Sequence, residues 1–201
     1  MTSEQLVRRK AFERVVTSID ATRSLPDQVF LGPWETFLFF ESDRLFAPSF
    51  AVIAQDLLRV DQASACCLVN FSESPVLTYE SAAKLFLDST TQSDDYDAQL
   101  RGGGPVSGWL YGMDRYGFAS EAGSWSIYCE KSNDMGVIAL SRTAAQEKYQ
   151  NALSALHAAP ISILLIPGSA SPIPFCQMTG TWRKGLTEHY KQGNAQKNPE
   201  P

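Results

Sequence analysis

The residues of this 201-residue chain whose types could do chemistry are two histidines, four cysteines and a few close-set carboxylates. His157 falls at the C-terminal end of an expected helix, where an imidazole bonds free carbonyls and complements the dipole. His189 falls on an expected terminal helix. Neither neighbours a plausible nucleophile, so both read as structural or surface groups. Cys66, Cys67, Cys129 and Cys176 contain no Cys-x-x-Cys spacing, and no His-x-x-x-His accompanies them, so no zinc ligand set is formed. A Cys176–His189 pair is formally available, but a reactive thiolate needs an electropositive, partly exposed site. Cys66 and Cys67 instead sit in an apolar run, and the four thiols read as reduced, buried hydrophobes.

The carboxylates come as Asp94, Asp95 and Asp97, and as Glu41 with Asp43. General acid–base work requires one carboxyl that is shielded and raised in pKa. A solvated face accounts for these groups better. The run Arg101-Gly-Gly-Gly-Pro-Val-Ser-Gly108 lacks the Lys-Ser/Thr of a phosphate loop and has Ser107 where the dinucleotide fingerprint needs glycine. Gly168-Ser-Ala-Ser-Pro172 has proline where a nucleophile elbow needs glycine. The expectation is a chain with no catalytic residue, no metal site and no cofactor.

The elements that must hold these residues follow from periodicity. Thr2 and Gln5 suit a capping box, and Phe12, Val15, Val16 and Ile19 give the following helix one apolar face, ended by Leu25-Pro26-Asp27. A strand is expected over 34–40 and a helix after Pro48, with Phe50, Ile53, Leu57 and Leu58 as its buried stripe. Cys66 to Phe71 reads as a buried strand. Thr78 to Asp88 reads as a helix with a Glu80–Lys84 pair, and Ser93 to Leu100 as a short helix stopped by Gly102. Trp125, Ile127 and Cys129 alternate with Ser126, Tyr128 and Glu130, turn at 132–136, and return along Val137-Ile-Ala-Leu140, a hairpin. A long helix carrying Ala145, Tyr149, Ala152, Leu153 and Leu156 then runs to Pro160. Ile161 to Ile166 reads as a buried strand, 167–172 as a turn, 173–177 as a further strand and 181–191 as a helix. This order predicts an α+β fold, a single domain over 1–192 with a mixed or antiparallel β-sheet covered by helices, and a disordered tail over 193–201.

Seven of the thirteen glycines fall in 102–123, interleaved with Trp109, Tyr111, Tyr116 and Phe118. Long structureless loops are often functional, and Trp, Tyr and Arg dominate interface hot spots. Trp109, Tyr111, Asp114, Arg115 and Tyr116 are therefore candidate binding residues, against the alternative that this stretch packs into the core. Charge supplies the second set. The chain is acidic overall, at −5, and residues 24–100 hold twelve acids against Arg44, Arg59 and Lys84. Such a stretch is either a solvated face or a surface that steers a basic partner, with Asp94, Asp95 and Asp97 at its end. A net acidic chain does not hold nucleic acid by its field. No apolar run approaches the ~18–20 residues that span a bilayer, and no apolar segment follows the basic N-terminus, so neither a membrane nor an export signal is expected and the cytoplasm is the default compartment.

Gly123-Ser-Trp-Ser-Ile-Tyr-Cys-Glu-Lys131, its turn and Gly136-Val-Ile-Ala-Leu140 resemble a hairpin of bacterial immunity proteins, those paired with contact-dependent inhibition and other polymorphic toxins. The likeness covers 123–140, extending to 109 if Gly108-Trp-Leu-Tyr-Gly112 belongs to it. It implies a small, cytoplasmic, non-enzymatic protein that neutralises a cognate, often basic, toxin domain. No binding motif carries over residue by residue. The rival expectation is a small-molecule-binding enzyme or sensor with its site at the 102–123 loop. The oligomeric state is not legible.

Overall fold

A computed structural model of the chain describes residues 2–72, 77–102, 108, 114–141, 143–166 and 179–191. Strands β1 (Thr36–Glu41), β2 (Ala65–Asn70), β3 (Lys84–Asp88), β4 (Arg115–Ser120), β5 (Trp125–Glu130) and β6 (Met135–Leu140) form one sheet in the order β1-β6-β5-β4-β2-β3. Every neighbouring pair is antiparallel. With its helices, this is an α+β fold.

The centre of the sheet is the meander β4-β5-β6, built through short connections. Between β5 and β6 the chain makes a 3-10 turn over Lys131–Asn133 and passes through Asp134 at φ 51°, so Gly136 already lies inside β6. All six residues of β2, β5 and β6 are buried. The reason is that helices cover both faces, so alternation along a strand separates two cores rather than core from solvent. Leu68, Phe118, Trp125, Ile127 and Ile138 enter one core, with helices α2 (Phe50–Asp61), α3 (Ser93–Arg101) and α4 (Gln150–Leu156) above them. Val69, Ala119, Tyr128, Val137 and Ala139 enter the other, under α1 (Ser3–Ser18), α5 (Ile161–Leu164) and α6 (Gly180–His189).

α1 begins with the capping box: the Thr2 hydroxyl accepts from Gln5 N–H, and Gln5 Oε1 accepts from Thr2 N–H. The helix stops at Ser18, well before Leu25-Pro26-Asp27. It lies tightly on β4 because Gly117 has no side chain. A Cβ there would stand 2.3 Å from Phe71 and 2.7 Å from Ile19 and Val15. The expected α2 stripe of Phe50, Ile53, Leu57 and Leu58 is buried as read.

Three expectations are corrected. Residues 78–88 are not a helix. The Thr78 hydroxyl accepts from Ser81 N–H and closes a turn, after which Lys84–Asp88 pairs with β2 as an edge strand. Leu85 and Leu87 thus obey a period of two, and the Lys84 ammonium sits 4.7 Å from the Tyr79 ring centre instead of depending on a helical Glu80 contact. Residues 161–166 are not a strand. Ile161 and Leu164, three apart, point inward from one helical turn after Pro160, while Ile163 and Ile166 are 51% and 56% exposed. The long helix before Pro160 is instead a 3-10 segment over Thr143–Tyr149 followed by α4, which ends when His157 turns left-handed at φ 54°. The expected turn at 167–172, the strand at 173–177 and the tail at 193–201 lie outside the described residues.

Candidate functional site

α3 presents the acidic candidates. Tyr96 and Leu100, one helical turn apart, are buried and fix the helix face. The Tyr96 hydroxyl donates to the Leu45 carbonyl at 2.5 Å. Asp97 is held by Arg101 at 2.8 Å. Asp94 and Asp95 are exposed in the first turn, and among the described residues neither makes an ion pair. The partial positive charge of the helix N-terminus favours carboxylates there without requiring a cation.

Asp114, Arg115 and Tyr116 lie elsewhere, at the start of β4, so the last third of the glycine–aromatic stretch is sheet rather than loop. Asp114 accepts from Ser132 N–H at 2.7 Å and its hydroxyl at 3.2 Å. The backbone N–H groups of Asp114 and Arg115 both donate to Ser72 Oγ, each at 2.9 Å. The Arg115 guanidinium donates to the carbonyls of Ala21, Arg23 and Phe71 at 3.2, 3.5 and 3.4 Å. It therefore stitches the 20–28 loop to the sheet end. Tyr116 is in the core and not on a surface: it is fully buried, its ring centre is 4.6 Å from that of Phe46, and burial pushes its phenol pKa up. Trp109 and Tyr111 lie outside the described residues.

Glu130 was not singled out by its sequence pattern, yet it is the buried charged side chain of this end, 5% exposed. It stands opposite Arg115 in the β4–β5 register. Burial raises its carboxyl pKa above the ordinary glutamate value, against the lowering effect of the Leu25 N–H, which donates to Oε2 at 3.0 Å. Two residues earlier on the same face, the Tyr128 hydroxyl is buried with no hydrogen-bond partner among the described residues. The sequence signal was the alternation itself. Glu130 shares a strand face with Ser126 and Tyr128, and that face became interior once α1 and α6 covered it.

The comparison with known proteins can be stated shortly. No family model, curated protein or solved structure matches this chain. Its chemistry is therefore read from its own groups. Cys66, Cys67 and Cys129 are buried, and burial pushes each thiol pKa up, which opposes a nucleophilic thiolate. His157 Nδ1 accepts from Arg44 at 3.0 Å, because a guanidinium only donates. His189 Nδ1 donates to the Pro26 carbonyl at 2.8 Å. Asp61 accepts from Ser120 Oγ at 2.6 Å and from the Tyr149 hydroxyl, tying α2 to β4 and to the 3-10 segment before α4. Among the described residues, no group of three or more His, Cys, Asp or Glu could hold a metal ion, and no helix is long and apolar enough to cross a membrane.

What the fold does gather is charge of opposite sign on opposite faces. α2 and α3 carry Asp56, Asp61, Asp94, Asp95 and Asp97 against Arg59 and Arg101. On the other side of the sheet, α1 and α6 carry Arg8, Arg9, Lys10, Arg14, Arg183 and Lys184 against Glu4, Glu13 and Glu188.

Proposed function

We propose that this protein is a non-enzymatic immunity protein that binds and neutralises a cognate basic toxin domain through its acidic helical face. The observation that carries the reading is Asp94 and Asp95, exposed on α3 without a counter-ion among the described residues. They stand on the layer where the helices hold an excess of carboxylates. Charges placed so accelerate encounter with a basic partner, and buried anchors then set how long it stays. The 123–140 hairpin likeness supplies the kind of partner.

The test is growth rescue. The C-terminal domain encoded by the adjacent upstream reading frame is expressed alone and together with this chain. Toxicity that co-expression abolishes is the expected result and identifies the partner. Toxicity that persists, or no toxicity, overturns the immunity reading.

A further inference from the structure

We infer a small-molecule site on the opposite layer, a cleft that takes a ring-sized carboxylate through Arg14. The cleft encloses about 190 Å³ between the C-terminal half of α1, the 31–34 loop and the end of the sheet where β4 stops and β5 starts. It lies at the far end of the strands from Asp114 and, among the described residues, touches the glycine–aromatic stretch at Ala119 and Gly123.

Its walls are fixed by backbone. Leu31 N–H donates to the Ser18 carbonyl at 2.8 Å, beside an antiparallel bridge between Ile19 and Phe30. On the far side, Glu35 N–H donates to the Leu140 carbonyl at 3.0 Å. Trp34 has already given its indole N–H to the Leu31 carbonyl at 2.9 Å, so with Leu31 and Pro33 it offers apolar surface. The hydroxyl protons of α1 are committed too. Thr17 donates to the Glu13 carbonyl at 2.7 Å and Ser18 to the Val15 carbonyl at 3.2 Å, which leaves Ser126 to donate to Ser18 at 2.9 Å. These bonds also satisfy carbonyls near the helix C-terminus, whose partial negative charge would otherwise weigh against an anion.

Arg14 differs from all of these. Among the described residues its polar contact is one long bond from Nε to the Glu121 carbonyl at 3.4 Å. The Glu121 carboxylate itself is occupied by the backbone N–H groups of Ser64 and Ala65. Both terminal guanidinium nitrogens are thus left without an ion pair among the described residues. The stem is guided to this place by Gly123 at φ 74°, where a Cβ would stand only 3.0 Å from Arg14 Cδ and Nε. Among the described residues no carboxylate lines the cleft.

An unpaired planar fork beside apolar walls is built for a carboxylate attached to a flat apolar body. The cleft is smaller than the roughly 300–1,000 Å³ of pockets for drug-sized ligands, which favours a single ring over a nucleotide. The site stands on its own residues and does not depend on what the acidic face binds.

The test is an amide and indole N–H NMR titration of the full chain with benzoate, using benzamide as the neutral isostere. The expected result is saturable shifts at the Trp34 indole N–H and the Gly123 and Ser141 amides, with benzamide much weaker. Arg14→Gln should weaken benzoate roughly tenfold or more, and Arg14→Lys should fall between, because it keeps the charge and loses the fork. Arg14 is exposed, so both variants should give the folded spectrum. Equal binding of benzoate and benzamide, shifts centred elsewhere, or no saturable shift would each overturn the assignment.

Discussion

Both helical layers bury aliphatic and aromatic side chains against the sheet but treat charge differently. On the layer of α1 and α6 three cations, Arg8, Arg9 and Lys184, pair with carboxylates of their own helix. Arg8 reaches Glu4 at 2.7 Å, Arg9 reaches Glu13 at 3.4 Å, and their guanidinium carbons lie 5.6 and 5.5 Å from the rings of Phe86 and Tyr79. On the layer of α2 and α3 some acids are used internally, as Asp61 and Asp97 are, and Asp94 and Asp95 are left to solvent. Pairing tells more than totals: an overall −5 covers one layer whose helical carboxylates Glu4, Glu13 and Glu188 all pair with cations of their own helix, and one that leaves Asp94 and Asp95 without an ion pair among the described residues.

Adjacent residues of β4 probe the two layers directly. Phe118→Ala empties a site among Phe50 and Trp125 on the acidic side and should cost about 3–5 kcal/mol of stability. Gly117→Val pushes a branched side chain into Val15, Ile19 and Phe71 on the basic side and should cost about 1–3 kcal/mol or more, because α1 must shift. Urea denaturation of both proteins measures the pair. A loss well under 1 kcal/mol at either position would contradict the packing described for that core.

A smaller effect distinguishes Glu130. Because burial holds its pKa above the ordinary value in the folded state, the folded chain keeps a proton that the unfolded chain releases. Its contribution is full below the unfolded pKa and is lost as pH rises through the raised value. The wild-type melting temperature should therefore fall across that interval relative to Glu130→Gln, which cannot ionise. Parallel melting curves for the two proteins would remove the buried-acid description. The smallest effect on stability belongs to the double variant Asp94→Asn, Asp95→Asn. Its melting temperature should hardly move, while association with the toxin identified by growth rescue should slow roughly tenfold at low salt and less at high salt. An unchanged association rate would separate that partner from α3.

Much of this was legible from residue order. The capping box, the α2 stripe, the buried run of β2 and the β5–β6 hairpin all follow from local spacing that tertiary contacts reinforce. What failed did so where neighbours decide. The segment Lys84–Asp88 is a strand because β2 supplies a ladder, and a five-residue window does not display its partner. Ile161–Leu164 looked like a strand because an apolar run alone does not separate a buried strand from a helical turn. The same limit governed the site. Asp94 and Asp95 were readable as a solvated face because acidic residues suit the first turn of the helix expected over Ser93 to Leu100, and the burial of Tyr96 and Leu100 then fixes that face. Arg115 and Tyr116 have the residue types of an interface, yet their strand is covered on both sides. Glu130 stayed hidden for that reason, and Arg14 because the loop beside it comes from another part of the chain.

The pairing of β1 with β6 has a consequence in time. Thr36 meets Leu140 and Glu41 meets Met135, so the strand that bears Phe37, Phe39 and Phe40 is made long before its partner. At ~5–20 residues per second of synthesis, that aromatic strand waits roughly five to twenty seconds after leaving the ribosome before β6 follows it. Through that interval its backbone is an unpaired edge and its side chains are uncovered, while the later meander can close within itself as soon as it emerges. The protein's exposure to misfolding is therefore concentrated in its first strand, and a chaperone that binds extended aromatic segments would meet it there.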